Sequence, residues 1–496
     1  MAGIVSGCYK DKGKYDYTSL NWIEIDYSPS DYVKISNSSV TFQYRQPLTE
    51  VQNKSVIPVV KQDLSIDESQ LSYYWITTSG RKDTLEQKEF HYELLPKQAT
   101  TISRLLKITD HSTGVDYYRM VDIKTVPPYK DNWFVLHGDE GDRRLGAAEN
   151  MEGKPLVTTD CYELQYGRRR FQQAFGLGYA HLGEDLLSGE FEVLQIFEPD
   201  SCFSMYPFLM RIKKINQEML LDGVFEGIEF QKVVYSESGN GYLGVLTNRG
   251  LLVAAWGNYS PVGTEGGISD YRIDDIYISA GGYATIWDGL EHRFLSYKFQ
   301  SGKVNKLALV NPKIFEEVDL SDKTCRAFLA STASPNGVMA IMQDQQNSYW
   351  YEINYAWNED KLPGAVEAGG TTFRQGILKN MSFDERSCFA ANGIFDGQFF
   401  YSVGAKIYRY NTINHENLLL YDAHEGIIDK LFFKSYYPEF SNKRPEFPRV
   451  LGVVVNTPDG KGKVHEVSLT IAGEVEKSIV YDGFGHIVDL ISAKGL

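Results

Sequence analysis

Apolar and polar positions alternate along most of this chain in short runs broken by turn residues, a period-two pattern that predicts strands rather than helices. "GYLGVLTNRGLLVAAW" (241–256) is two apolar runs joined through Asn248-Arg249-Gly250, which predicts a hairpin. "IFDGQFFYSVGAKIYRYN" (394–411) sets Asp396-Gly397 and then Gly404 between further runs. "VLGVVVNTPDGKGKVHEVSLTI" (450–471) turns at Pro458-Asp459-Gly460. Helical patterns of about ten residues or more are hard to find. The 33 Tyr, 26 Phe and 7 Trp agree with this, because aromatic and β-branched side chains suit a half-buried pleated surface. From about residue 130 onward the chain reads as all-β.

The C-terminal part repeats itself. Tyr421, Asp422, Ile427 and Asp429 fall on Tyr481, Asp482, Ile487 and Asp489, a shift of 60 residues each time. Weaker echoes begin at "YWYEINYAWNEDKLPG" (349–364) and "RFLSYKFQSGKVNKLALV" (293–310). Repeated four-stranded units of about 40–60 residues predict a β-propeller, whose radial arrangement leaves only short, protected sheet edges. Residues 132–496 hold roughly six to eight such blades, with seven preferred. The first 130 residues read differently. "LSYYWITTSG" (71–80) is a strand centred on Trp75, and "ISRLLKITDHSTGVDYYRMVDIKTV" (102–126) is a strand, a polar turn and a strand. Trp75 followed by a late strand pair predicts an Ig-like β-sandwich with Trp75 in its core. "PPYKDN" (127–132) supplies a boundary, since two prolines cannot join a central strand.

Composition narrows the function classes. With 43% hydrophobic and 23% charged residues the chain is globular, and no apolar stretch is long enough to cross a membrane as a helix. A net charge of −15 argues against nucleic acid, which is bound through clustered cations. Arg168-Arg169-Arg170, the only compact basic run, reads as a solvated edge. Among the five cysteines, Cys161, Cys202, Cys325 and Cys388 lack CxxC spacing, so no zinc site is expected and buried thiols are the preferred reading. His424-Glu425-Gly426 is not HExxH, 257–267 lacks the lysine of a P-loop, 139–142 lacks EF-hand alternation, and no GxSxG elbow is present. No catalytic residue, metal or cofactor is assigned. Trp287, Trp350 and Trp357 sit near predicted strand ends, where an aromatic face beside polar groups suits sugar rings or peptide side chains. They are the candidate ligand-binding residues, against the alternative of packing between blades.

"CYKDKGKYDYTSLNWIEI" (8–25), "YYW" (73–75), "LKITDHSTGVDYY" (106–118) and "NWFVLHGDEG" (132–141) together resemble the PKD-like lipoprotein family of Bacteroidota. The resemblance implies a lipidated cysteine, a PKD/Ig-like sandwich and then a propeller-like region. It also implies a place beside TonB-dependent transporters and their substrate-binding lipoproteins in nutrient uptake. Val5-Ser6-Gly7-Cys8 then resembles a lipobox, with Cys8 as the lipid-attachment site. Several acyl chains would anchor it, because burial is worth about 0.8 kcal/mol per CH₂ and one chain holds a protein only marginally. Only Met1 to Ile4 precede the box, so the apolar stretch of such a signal is expected to lie outside this chain.

The expected organisation is signal remnant, lipidation site and tether (1–17), sandwich (18–126), linker (127–131) and propeller (132–496). The expected function is a non-enzymatic, outer-membrane, cell-surface lipoprotein that serves as a platform in a glycan or peptide uptake complex. A propeller hydrolase or lyase acting on polysaccharide is the alternative. The anchor has a direct test. Protein with its native signal should fractionate with membranes, and Cys8→Ala should move it to the soluble fraction. Membrane association unchanged by that substitution would sink the lipobox reading.

Overall fold

A computed structural model describes residues 20–492 apart from 28–33, 37, 44–50, 65, 81–82, 95–99, 127, 130–131, 152–153, 182–191, 222–223, 236–242, 256–257, 263–269, 280–281, 300–302, 308, 310–316, 334–336, 356–371 and 435–448. Cys8 and Trp357 lie outside the described residues. The chain forms two compact units, Met1–Pro128 and Tyr129–Leu496.

The first unit is a strand-built sandwich. Its larger sheet runs in the order Lys34–Ser36, Ser39–Gln43, Val115–Val126, Thr100–Asp110, Leu71–Thr77, Thr84–Glu86. Two antiparallel ribbons complete it, Ile23–Tyr27 with Pro58–Gln62 and Gln52–Val56 with Phe90–Leu94. The alternation seen in the sequence is burial: Ile23, Ile25 and Tyr27 are buried while Glu24 and Asp26 are exposed. Trp75 is 1% exposed, packs 5.3 Å from Phe90, and donates its indole N–H to Lys88 O at 3.3 Å. It is a core residue with its one polar group satisfied.

The second unit is a β-propeller. Among the described residues it contains seven four-stranded antiparallel sheets, six of them with their strands in sequence order from the inside outward. Blades 2 to 7 span 176–215, 230–261, 273–306, 324–378, 389–422 and 427–485. Blade 1 is composite: its three outer strands lie within 133–158, and its innermost strand is Ile487–Ser492. The innermost strands of successive blades touch one another in a closed circuit. The 60-residue repeat is the spacing of one blade: Tyr421 and Tyr481 lie on the outermost strands of blades 6 and 7, and Ile427 and Ile487 open the next innermost strands. The weaker echoes start at the third strands of blades 4 and 5.

Each of the seven boundaries between blades holds its own buried apolar cluster among the described residues. This is why strands within the blades are apolar on both faces, as in Trp133–His137 and Tyr283–Asp288, rather than cleanly alternating. The boundary between blades 7 and 1 closes the ring. Trp133 is fully buried there and donates its indole N–H to Glu466 Oε2 at 2.7 Å. The Lys434 ammonium sits 5.5 Å over the Trp133 ring and 3.5 Å from the same Glu466 oxygen. Gly452 lies under the ring so closely that a Cβ would come within 2.6 Å of it.

Trp133→Ala should therefore cost about 3–5 kcal/mol. Gly452→Ala should cost about 1–3 kcal/mol by overpacking, and the exposed Leu419→Ala should change stability by less than about 0.5 kcal/mol. Urea unfolding followed by tryptophan fluorescence measures all three. A Gly452→Ala midpoint equal to that of Leu419→Ala would show that this contact does not control closure.

Candidate functional site

Antiparallel strands put the start of every innermost strand on one side of the propeller, with the turns from second to third strands and the connections from one blade to the next. Five of the seven innermost strands carry a bulge there, at Gln231, Asp274, Arg326, Asp429 and Val488. A bulge breaks the ladder by one residue and re-aims the side chains around it. The residues that follow are Lys232, Asp275, Ala327, Lys430 and Asp489. They pair across blades: Lys232 Nζ lies 2.8 Å from Asp275 Oδ1, and Lys430 bonds Asp489. Asp489 also accepts the Leu177 N–H at 2.8 Å, so one carboxylate ties blades 7, 1 and 2 together.

On this rim, between blades 3 and 4, lies a cavity of about 390 Å³. Leu246, Leu251, Val262 and Ile273 give it apolar walls, and Gln231, Thr247, Arg249, Tyr271 and Arg272 bring polar groups. Arg249 sits in the two-residue turn between Leu243–Thr247 and Gly250–Ala255. Its guanidinium donates to Val224 O at 3.1 Å and Glu226 O at 2.5 Å, and its backbone N–H donates to Thr247 Oγ1 at 3.1 Å. Arg272 is a fork onto Asp274, with Nε and Nη2 donating at 2.6 and 2.9 Å. Burial, then the nearby Asp288 carboxylate, pushes the Tyr271 hydroxyl above its ordinary pKa, so it remains a proton-bearing donor.

Elsewhere the structure reassigns the residues singled out in the sequence. Trp287 is 2% exposed and packs edge-on to Phe294 at 5.0 Å inside the boundary between blades 4 and 5. That corrects the expectation of a ligand-facing ring; Trp287 holds two blades together. Trp350 packs against the cluster between blades 5 and 6, where a Cβ on Gly376 would come within 2.5 Å of its Nε1. That indole nitrogen is buried with no hydrogen-bond partner among the described residues. Trp287 and Trp350 are thus not brought together as one site, and Trp357 lies outside the described residues. In the basic run Arg168 and Arg169 are exposed, as a solvated edge requires, and Arg170 is half-buried. Arg169 pairs with Asp142 and with Glu163 at 3.3 Å, and Arg170 stacks 5.0 Å over Phe203, stapling a helical turn at Cys161–Tyr166 to blades 1 and 2.

Cys161, Cys202, Cys325 and Cys388 are free thiols. Burial pushes Cys202 up to about 12 and Cys388 to about 11, which keeps both protonated and weakly nucleophilic. No group of three His, Cys, Asp or Glu suited to a metal ion exists among the described residues. The cavity was missed in the sequence because Arg249 reads there only as the middle of a turn. An arginine where small or polar residues suffice was the available signal.

The sequence profile of the PKD-like family matches residues 8–173. The match runs through the sandwich and on over the three outer strands of blade 1, whose innermost strand comes from Ile487–Ser492. No curated protein matches this chain. Among solved structures, a quinonprotein alcohol dehydrogenase-like protein from Bacteroides thetaiotaomicron is similar at 10% identity and a TM-score of 0.44, over 92% of this chain and 97% of that one. YCF48 from Cyanidioschyzon merolae gives 11% identity and a TM-score of 0.36 over 66% and 93%. A Synechocystis apocarotenoid oxygenase mutant gives 9% and 0.41 over 75% and 94%. None of these likenesses bears on the chemistry of this chain.

His465, on the third strand of blade 7, makes the pH response readable. Burial, then the Lys463 charge, lowers its pKa to about 4, although Glu425 and Asp482 work the other way. Its Nδ1 meets the Tyr421 hydroxyl at 3.0 Å, and its Nε2 is buried with no partner among the described residues. An unfolded histidine titrates near about 6.5, so between about 6.5 and 4 only the unfolded chain takes up this proton. The stabilisation is whole above that window and is lost as pH falls through it, by about 3 kcal/mol. His137, lowered chiefly by burial, acts in the same direction. Urea midpoints at pH 7 and 4.5 should therefore differ less for His465→Gln than for the unaltered protein. An unchanged difference would mean that His465 is protonated in the fold.

Proposed function

We propose that the protein is a non-enzymatic lipoprotein of the outer membrane, anchored through Cys8 and exposed at the cell surface. In this reading it joins a TonB-dependent transporter and its substrate-binding lipoprotein, and the propeller rim serves as a binding platform for glycan or peptide. The PKD-like family match over 8–173 agrees with the resemblance from which the lipoprotein context is drawn. The observation that carries the platform reading is that four rim carboxylates are committed to cations of their own chain. Asp275 pairs with Lys232, Asp489 with Lys430, Asp274 with Arg272 and Asp142 with Arg169. A general acid or base must instead be poised with a matched pKa and within reach of a substrate proton. The exposed pairs among these, such as Arg272 with Asp274, add only about 0–1 kcal/mol each and arrange the surface. An anchored platform needs only modest affinity, because confinement beside a transporter raises effective concentration.

The test joins two assays. Affinity-tagged protein drawn from solubilised outer membranes should bring down a TonB-dependent transporter and its lipoprotein partner. Purified protein incubated with panels of polysaccharides and peptides should leave every substrate intact by mass analysis. Cleavage abolished by replacing a single carboxylate would establish the hydrolase or lyase reading, and an empty pull-down would remove the uptake complex.

A further inference from the structure

We propose that the cavity between blades 3 and 4 binds a small monoanion, a carboxylate-bearing ligand with one apolar face, resting on the reading of that rim as a binding surface. The argument is a count of charges. Two cations line the cavity. Arg272 is neutralised by its fork onto Asp274, and the neighbouring Lys232 by Asp275. Arg249 makes no ion pair among the described residues; neutral carbonyls of Val224 and Glu226 hold its guanidinium. A guanidinium carries five N–H donors, and these two bonds engage two of them. The result is one positive charge, fixed in position before any ligand arrives, with donors to spare. Preorganised donors of this kind recognise a planar carboxylate through paired hydrogen bonds.

The other polar groups fit the same ligand. Gln231 is the bulge residue of its strand, and neither its amide nor the Tyr271 hydroxyl makes a side-chain hydrogen bond among the described residues. Each offers a neutral contact beside the charge, while Leu246, Leu251, Val262 and Ile273 face the ligand's apolar side. A volume of about 390 Å³ falls in the small-ligand range of about 300–1,000 Å³. A single uncompensated cation in a protein of net charge −15 balances a monoanion and leaves a dianion with excess charge. The shared chemistry has two sources, an acidic sugar or the carboxyl end of a peptide.

Titration calorimetry of the full chain at low salt separates them. The probes are galacturonate against galactose, and an N-acetyl dipeptide acid against its amide. At least one acid should bind and both neutral partners should not; the tighter acid identifies the source. Arg249→Gln should weaken binding about tenfold or more, and Tyr271→Phe should weaken it several-fold with an unchanged melting curve. Should Arg249→Gln melt early because the 224–226 segment is released, Tyr271→Phe and Gln231→Ala carry the test. Equal binding of acid and neutral partner, absence of binding by both acids, or full binding by all three variants overturns the proposal. The pull-down of the transporter complex reads the platform separately, so it survives such a failure and can fail without it.

Discussion

Everything in the propeller depends on one pairing: Ile487–Ser492, near the end of the chain, lies antiparallel against Trp133–His137. Without it, blade 1 has no innermost strand and the circuit of inner strands has a gap between blades 7 and 2. The pairing completes a sheet and at the same time brings blade 1 against blade 7, where Trp133 occupies the space left by Gly452. Glu466 and Lys434 then satisfy the indole and each other, so the seam carries no orphaned charge. The residues matched to the PKD-like family end inside this arrangement, since three strands of blade 1 fall within 8–173 and the fourth does not.

The ring's uniform inner circuit is what makes its rim chemically specific. The same bulge recurs near the start of five inner strands, so side chains that follow it arrive at equivalent places around the axis. Where opposite charges fall on adjacent blades, as with Lys232 and Asp275, they neutralise each other and tie the blades. Ala327, at the equivalent place in blade 5, brings no charge. Against this largely self-neutralised background the Arg249 guanidinium has no carboxylate partner among the described residues, because its turn is braced by carbonyls.

Several residues with chemical potential are spent on packing instead. Trp287 and Trp350 fill boundaries between blades, and the thiols of Cys161 and Cys202 lie among apolar neighbours at two other boundaries. Arg169 and Arg170 brace a helical turn. A propeller has as many such boundaries as blades, and each must be filled to interior density with large, well-fitted side chains. An aromatic-rich composition is the consequence of that demand.

What the amino-acid sequence determined alone was local. Alternation and turn residues placed the hairpins at 241–256 and 450–471, Trp75 marked the sandwich core, and the 60-residue spacing from Tyr421 to Tyr481 was the repeat of a blade. These are properties of one strand and its near neighbours, and a period of two records them. The tertiary structure decided what faces what. That Ile487–Ser492 belongs to blade 1, that Trp287 looks into a neighbouring blade, and that Arg249 and Tyr271 share a cavity all depend on contacts between distant segments. Alternation says that a side chain leaves one face of a strand; only the closed ring says what stands there to meet it.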